Sequence, residues 1–275
     1  MTRVLAKAQV ATGLILVMFF ATVALFAPHL ALQNAKTQNL SEDLRPPSLE
    51  HPCGQDKLGR DVLSRVIYGT RVSLLVGVLV VGISASLGLV IGAIAGYAGG
   101  RTDDLIMRST DVLLAFPGIL LAIGASAVLG PSLRNVLLAL CTIGWTGYAR
   151  LVRGEVLRYR SSEFVTAAAA LGAPPLRILG RHIIPQLLTP LIVQAAFGMA
   201  GAIVAEASLS FLGLGVQPPT PSWGAMVNEG RAFLLIAPHV ALFPGIALVL
   251  TVLGLNLLGD GLRDALDVRS QEPIP

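Results

Sequence analysis

Few side chains in this sequence of 275 residues have types and spacing that could do chemistry. The four histidines are scattered and lack metal-ligand spacing, such as two histidines at i and i+4 with a glutamate. There is no GxxxxGKS/T phosphate loop, GxSxG nucleophile elbow or HExxH zinc motif. Cys53, in a polar stretch, and Cys141, in an apolar one, indicate no disulfide framework. We therefore predict no catalytic residue, no cofactor and no metal site on this chain.

The most unusual polar segment is EFVTAAAALGAPPLRILGRHIIP, residues 163–185, which lies between two long apolar blocks. Its first part favours a short helix with one smooth, alanine-rich side. Gly172 stands where a helix can end in a left-handed residue, and the proline pair that follows can begin a second helix. Arg177 and Arg181 share the outer side of that second helix, and Pro185 is predicted to end it. This helix, glycine elbow and helix would suit either docking of a partner or a hairpin at the membrane surface.

The composition that surrounds this segment is typical of an integral membrane protein. Hydrophobic residues make up 54% of the chain, charged residues 13%, and mean hydropathy is +0.73, whereas soluble domains are about 45–50% apolar and about 25% charged. The pI is high, about 9.4, but the basic residues are spread over short segments without aromatic interleaving. Membrane topology explains them better than nucleic-acid binding does.

Six apolar blocks are each close to the roughly 20 residues needed to cross a bilayer. The first is longer than the apolar core of a signal peptide, which predicts an uncleaved anchor. We expect an all-α membrane protein with an anchor at 1–31, an extracytoplasmic loop at 32–71, a transmembrane domain at 72–260 and a tail at 261–275. The predicted spans are residues 9–31, 72–98, 105–130, 133–152, 189–214 and 236–259.

Basic residues near the span ends set the predicted orientation. With the N-terminus in the cytoplasm, more than half of the 20 Lys and Arg residues lie on the cytoplasmic side. The loop at 32–71 is also basic, but acidic residues offset it and long loops weigh less in this rule. Both termini and residues 163–185 are therefore predicted to be cytoplasmic.

The second and fifth spans each carry a stripe of small or polar residues at intervals of four, along which another helix can approach closely. In the fifth span the stripe includes Glu206, an acid well inside an apolar block, and Ser210. Ionisable residues in such places normally face a bundle interior or a water-filled cavity. Glu206 is either part of a substrate pathway or gate, or a hydrogen-bonded clamp between helices. The stripe of the second span is Ser84, Gly88, Gly92, Gly96 and Gly100.

Residues 163–185 resemble the cytoplasmic "EAA" loop of the permease subunits of binding-protein-dependent ABC importers. That loop has an acidic residue, an alanine pair, a glycine after a fixed gap and a late Ile-x-Pro ending. Three more stretches, 51–74, 206–227 and 255–269, resemble the branch that imports dipeptides, oligopeptides and nickel. Together the four matches cover nearly the whole chain in order. The loop positions are occupied by Glu163, Ala167, Ala168, Gly172, Ile183 and Pro185.

The resemblance implies a six-span, MetI-like permease fold that forms half of a translocation pore in the cytoplasmic (inner) membrane of a prokaryote, in contact with lipid. It implies that residues 154–188 are the coupling loop, docked on a cytoplasmic ABC ATPase subunit that hydrolyses ATP. A second, homologous permease completes the pore, and an extracytoplasmic solute-binding protein delivers substrate. Peptides are the expected substrate class, with nickel or another small solute as the alternative.

The chain departs from the family pattern at several positions. Ala169 stands where an arginine is common, which removes a possible salt bridge to the ATPase, and Gln186 stands where asparagine is usual. Cys53 and Gln55 lie in the 51–74 stretch, where the residue before Asp56 is often threonine. The contacts made at these four positions are expected to differ from those of relatives.

Two functions of other classes were weighed against the permease. A self-sufficient secondary transporter would show a symmetric pair of broken helices and several intramembrane charges. An intramembrane enzyme would need a paired nucleophile and base, or a metal cluster, within the spans. The sequence shows neither pattern.

Overall fold

The computed structural model describes residues 2–267 of the chain. Most of that range is helical, and one isolated β-bridge joins Gln55 and Asp61. The helices that build the fold are α1 (Thr2–Leu25), α2 (Val62–Ala98), α3 (Gly100–Leu114), α4 (Gly118–Leu129), α5 (Leu133–Arg160), α6 (Glu163–Ala170), α7 (Pro175–Phe211), α8 (Trp223–Arg231) and α9 (His239–Asp267).

Among the described residues, five helices are long and apolar enough to cross a membrane: α1, α2, α5, α7 and α9. A sixth crossing results if α3 and α4 are taken as one span, although they are bent by 80° at their junction. The all-α, multi-span prediction is confirmed, but the third span at 105–130 is not one straight helix. Pro117 explains the break, because it lacks a backbone N–H and its ring disfavours helix at the preceding residue.

The centre of the bundle is the packing of α2 against α5. A Cβ added at Gly88 would collide with the Tyr148 side chain, and one at Gly92 would collide with the backbone oxygen of Ala149. One at Gly96 would lie 2.9 Å from the backbone oxygen of Arg153. The two backbones therefore touch along three successive turns, as small residues allow in membrane helices.

The other members of the predicted stripe lie at its two ends. Ser84 is buried, and its hydroxyl faces Gly144 of α5. Gly100 lies beyond the end of α2, at the first residue of α3, with a φ of 53°. A Cβ there would meet nothing within 4 Å, so Gly100 takes no part in the contact with α5.

Two of the predicted loops contain helix. Helix α2 begins at Val62 rather than near residue 72, because the Asp61 carboxylate caps it by accepting from the Ser64 backbone N–H at 2.7 Å. Helix α8 lies within the segment 215–235. Residues 261–267 of the predicted tail continue α9, and the remainder of that prediction lies outside the described residues.

The α2–α5 contact generates the first prediction. Gly92→Leu is expected to lower the free energy of unfolding by about 1–3 kcal/mol, because the new side chain must push the two backbones apart. The matched control is Gly82→Leu on the same helix, where an added Cβ meets nothing within 4 Å. Thermal unfolding of the two purified variants in detergent compares them. Equal destabilisation by both changes would contradict the close contact.

Candidate functional site

The segment 154–188 forms the helix, elbow and second helix that the sequence predicts. Helix α6 ends at a turn in which the Gly172 N–H donates to the backbone oxygen of Ala169 at 2.9 Å. Gly172 has a φ of 81°, a left-handed conformation that glycine adopts without the steric cost of a Cβ. The chain then enters α7 at Pro175, where the missing N–H leaves no helical hydrogen bond unmade.

The inner side of this segment is fixed to the bundle. Val165 of α6 and Ile178 and Ile183 of α7 are buried in one hydrophobic cluster with Val152 and Val156 of α5. Each fully buried aliphatic side chain contributes about 1.5–3 kcal/mol relative to exposure. The elbow is therefore held on a rigid base and is not a loose connection.

The outer side of the segment is open. Leu171 and Leu176 flank the elbow with 89% and 84% of their surface exposed, and a Cβ added at Gly172 would meet nothing within 4 Å. Ala168 is half-buried against the cluster. Adjacent exposed leucines are typical of a surface that another protein covers. The remaining predicted residues are all exposed on this side: Glu163, Ala167, Arg177, Arg181 and Pro185.

The prediction that Pro185 ends the second helix is wrong. The helix runs without interruption from Pro175 to Phe211, through both Pro185 and Pro190. Residues Ile178–Ile183 form a π-helical turn immediately before Pro185, and this wider turn accommodates a residue that cannot donate to the carbonyl four residues earlier. The outer part of α7 is therefore a direct extension of the membrane span.

Glu206 and Ser210 lie where α7 meets the opposite end of the bundle. The Ser210 hydroxyl donates to Glu206 Oε1 at 2.6 Å and accepts from the Val216 N–H at 3.1 Å. Their exposed fractions are 0% and 2%. Neither residue therefore faces open space, and the geometry favours the clamp over the pathway or gate. The clamp ties the end of α7 to the segment that leads into α8.

A buried ion-pair network is the feature that sequence reasoning missed. Arg60 donates from Nε to Asp56 and from its terminal nitrogen to Glu229 of α8, both at 2.7 Å. Arg65 pairs with the same two carboxylates. Both arginine side chains are 3% exposed. In the sequence the charges of the 32–71 loop bear only on topology, and Glu229 is too distant along the chain for any local spacing to reveal the pairing.

Trp223 joins the layer formed by loop residues 32–61 and α8 to the bundle. Its indole N–H donates to the Val66 backbone oxygen at 3.0 Å, and its ring packs edge-on against Phe20 of α1 with centroids 5.9 Å apart. The side chain is 0% exposed. Trp223 therefore does not anchor this segment at a lipid interface, because its ring is enclosed by protein.

Cys53 lies in the same layer, buried beside the start of α2. Burial, with the Asp61 carboxylate as a smaller contribution, raises the pKa of the Cys53 thiol to about 11. The thiol therefore stays protonated at neutral pH and behaves as a small apolar side chain. Within residues 2–267 there is no group of three or more His, Cys, Asp or Glu side chains that could hold a metal ion.

The ion-pair network generates the second prediction. Asp56→Asn should destabilise the protein by about 3–5 kcal/mol, because it leaves two buried arginines with one carboxylate between them. The control is Asp43→Asn, an exposed position in the same loop. Thermal unfolding in detergent, with limited proteolysis of residues 32–61, reports on both variants. A network that stabilises this layer is contradicted if the two variants behave alike.

Comparison with known proteins agrees with this architecture. Residues 88–271 match the family model described as "Binding-protein-dependent transport system inner membrane component". The chain is 48% identical to a dipeptide transport system permease protein, DppC, of Alkalihalophilus pseudofirmus over 255 residues, 93% of this chain and 84% of the relative. It is 49% identical to the glutathione transport system permease protein GsiD of Escherichia coli and of Shigella boydii over 257 residues, 93% of this chain and 85% of each relative.

The extent of these matches decides the family. They cover the stripe of α2, the 154–188 segment, the clamp on α7 and all of the layer formed by residues 32–61 and α8. Both relatives are named as permease proteins of transport systems, as the resemblance of residues 163–185 implies. This chain belongs to the family of binding-protein-dependent transport system inner membrane components, and it is a multi-pass inner-membrane permease subunit of an ABC importer.

Proposed function

We propose that this permease imports di- or oligopeptides and is driven by ATP that separate cytoplasmic subunits hydrolyse. The observation that carries the proposal is the 154–188 segment, which has a rigid base and an open outer surface with two exposed leucines at its elbow. Dipeptide and glutathione permeases are the named relatives, and glutathione is itself a short peptide. This supports a peptide substrate over nickel or another small solute.

The outer surface of the segment is the docking site for the ATPase. Ala167 and the Gly172 elbow let the partner approach closely, while Leu171 and Leu176 offer apolar area and Arg177 offers charge. At Ala169, the chain presents a methyl group where relatives commonly have a cation, so docking here depends more on apolar contact. Gln186 lies beyond the elbow on an exposed turn of α7 and does not adjoin Leu171.

Closure of two ATPase subunits would move two such elbows towards each other. Because α7 is continuous from the elbow to Phe211, displacement at its cytoplasmic end is carried through the membrane by one helix. The Glu206–Ser210 clamp transmits this displacement to the segment before α8. Nucleotide then shifts the permease between inward-open and outward-open states through contacts that differ between them.

The opposite face receives the solute-binding protein. Loop residues 32–61 and α8 form one layer, joined by the Asp56–Arg60–Arg65–Glu229 network. His239 of α9 attaches this layer to the bundle, since its Nε2 lies 3.1 Å from the Gln55 carbonyl oxygen. Such a layer can accept a docked protein without rearranging. A second, homologous permease completes the pore.

The proposed topology places both termini and the 154–188 segment in the cytoplasm. The anchor is 1–31, the extracytoplasmic loop is 32–71 with its last turns in α2, the permease domain is 72–260 and the tail is 261–275. Two ion pairs fix α3 to α5 near the proposed cytoplasmic side: Arg153 with Asp103 at 2.6 Å and Arg150 with Asp111 at 2.5 Å.

The elbow generates the third prediction. Gly172→Leu should insert and pair with the second permease, yet lose ATPase association and peptide uptake, because it adds bulk to the docking surface. The matched control is Gly213→Leu just beyond the other end of α7, which has the same φ, 81°, the same backbone hydrogen-bond pattern and open space around it. Both changes carry the same left-handed strain of about 1–2 kcal/mol.

Association is measured by co-purification of the ATPase, and uptake with radiolabelled dialanine and with Ni²⁺ in vesicles that contain the binding protein. Loss of association in both variants would attribute the effect to strain. Normal association and uptake in Gly172→Leu would show that the elbow is not the docking site. Uptake of Ni²⁺ but not of the peptide by the wild-type complex would overturn the substrate class.

A further inference from the structure

A second stripe of small and polar residues runs along α7, on a different face from Glu206. Its members recur at intervals of four and three, which keeps them on one side of a helix. A Cβ added at Gly201, in the middle of the stripe, would meet nothing within 4 Å. The stripe therefore looks onto open space at Gly201, whereas Gly198 lies against the side chain of Tyr148. Its residues are Gln194, Gly198, Gly201, Ala205 and Ser208, all exposed or half-exposed.

Open volume follows the stripe along its length. A cavity of 280 Å³ between α2, α4, α5 and α7 is bordered by Gln194, Gly198, Gly201 and Ala205. A second, of 500 Å³, continues from Gly201 past Ala205 and Ser208 towards Asn256 of α9. Ile119 of α4 borders both cavities. The first cavity reaches into the bundle, whereas the second opens between α7 and α9.

An unpaired hydroxyl marks the inner wall of the first cavity. Ser84 is 1% exposed, and its Oγ has no hydrogen-bond partner among the described residues. Serine in an apolar helix can return its hydroxyl to the carbonyl four residues earlier, as Ser208 does at 2.8 Å. A buried hydroxyl without a partner costs about 1–3 kcal/mol. Ser84 therefore places an unused hydrogen-bonding group at the wall of the first cavity, beside Gly144, towards which its hydroxyl points.

The chemistry of the stripe suits a peptide backbone. The amide of Gln194, the hydroxyl of Ser84 and the amide of Asn256 both donate and accept, as peptide groups do. Gly201 and Ala205 leave room for side chains of different size. No stripe position is ionisable, so contacts are weak enough to release the cargo, as passage through a pathway requires.

The length of the stripe also fits a short peptide that moves along it. From residue 194 to residue 208 the helix rises about 21 Å, at about 1.5 Å per residue. An extended peptide advances about 3.3 Å per residue. A dipeptide or tripeptide therefore covers less than half of the stripe at once and must pass along it in steps.

We propose that this stripe, with Ser84, is the wall that this chain contributes to the translocation pathway, and that it takes short extended peptides through their backbone amides. The inference rests on the peptide-import function proposed above. The other occupant of such a surface is a helix of the second permease, packed against the small residues. The experiment separates the two, because only a pathway is reached by water and by cargo.

The test uses the assembled complex in vesicles with its binding protein. Ala205→Cys and, as a near-isosteric second variant, Ser208→Cys are treated with a charged methanethiosulfonate reagent. The matched control is Ile192→Cys, which is 55% exposed on the opposite side of α7, and the wild-type chain, with buried Cys53 and Cys141, gives the background. Reaction rate is measured with and without ATP and dialanine, and uptake is measured after reaction.

The proposal predicts that the Ala205→Cys and Ser208→Cys thiols react, that dialanine slows the reaction during transport, and that modification abolishes uptake, while Ile192→Cys stays at background. Thiols that do not react, that react at a rate unaffected by peptide, or that react without loss of uptake would each overturn it. Failure of the wild-type complex to take up dialanine or glutathione would instead overturn the proposed function itself.

Discussion

The continuity of α7 is the constraint on which the rest of this structure depends. One helix carries the elbow at its outer end, the pathway stripe on one face and the Glu206–Ser210 clamp near its other end. It continues through Pro185, which a π-helical turn precedes, and also through Pro190. The elbow, the stripe and the contact with the segment before α8 therefore all belong to one helix.

The other helices hold this body in place from both ends. At the end that carries the elbow, Val165, Ile178 and Ile183 are buried against α5, which itself packs closely against α2 along the glycine stripe. At the other end, the buried ion pairs connect α8 to the start of α2. Rigid contacts at both ends of α7 suit a protein in which a displacement at one surface must reach the other, because a flexible connection would not transmit it.

The sequence predicts the parts that depend on local pattern. The length of each apolar block predicts the long helices. The spacing of four between small residues predicts the contact at Gly88, Gly92 and Gly96, and a glycine between two helix-forming stretches predicts the elbow. It fails where distant residues decide the outcome. Glu229 and Trp223 appear as loop residues in the sequence because their partners lie more than 150 positions away, and Pro185 appears to end a helix because the preceding π-turn leaves no signature. The sequence does not reveal the stripe on α7, because small residues that line open space and small residues that pack against another helix follow the same sequence pattern.

The central claim is that α7 moves as one rod when nucleotide binds. Spin labels at Leu176 and Leu212, both exposed and at the two ends of α7, measure its length by pulsed electron resonance in the assembled complex. A second pair, Leu176 and Leu105 of α3, measures its position against a neighbouring helix. The account predicts that ATP leaves the first distance unchanged and alters the second. A change in the first distance, which would mean that α7 bends near the π-turn, would contradict it.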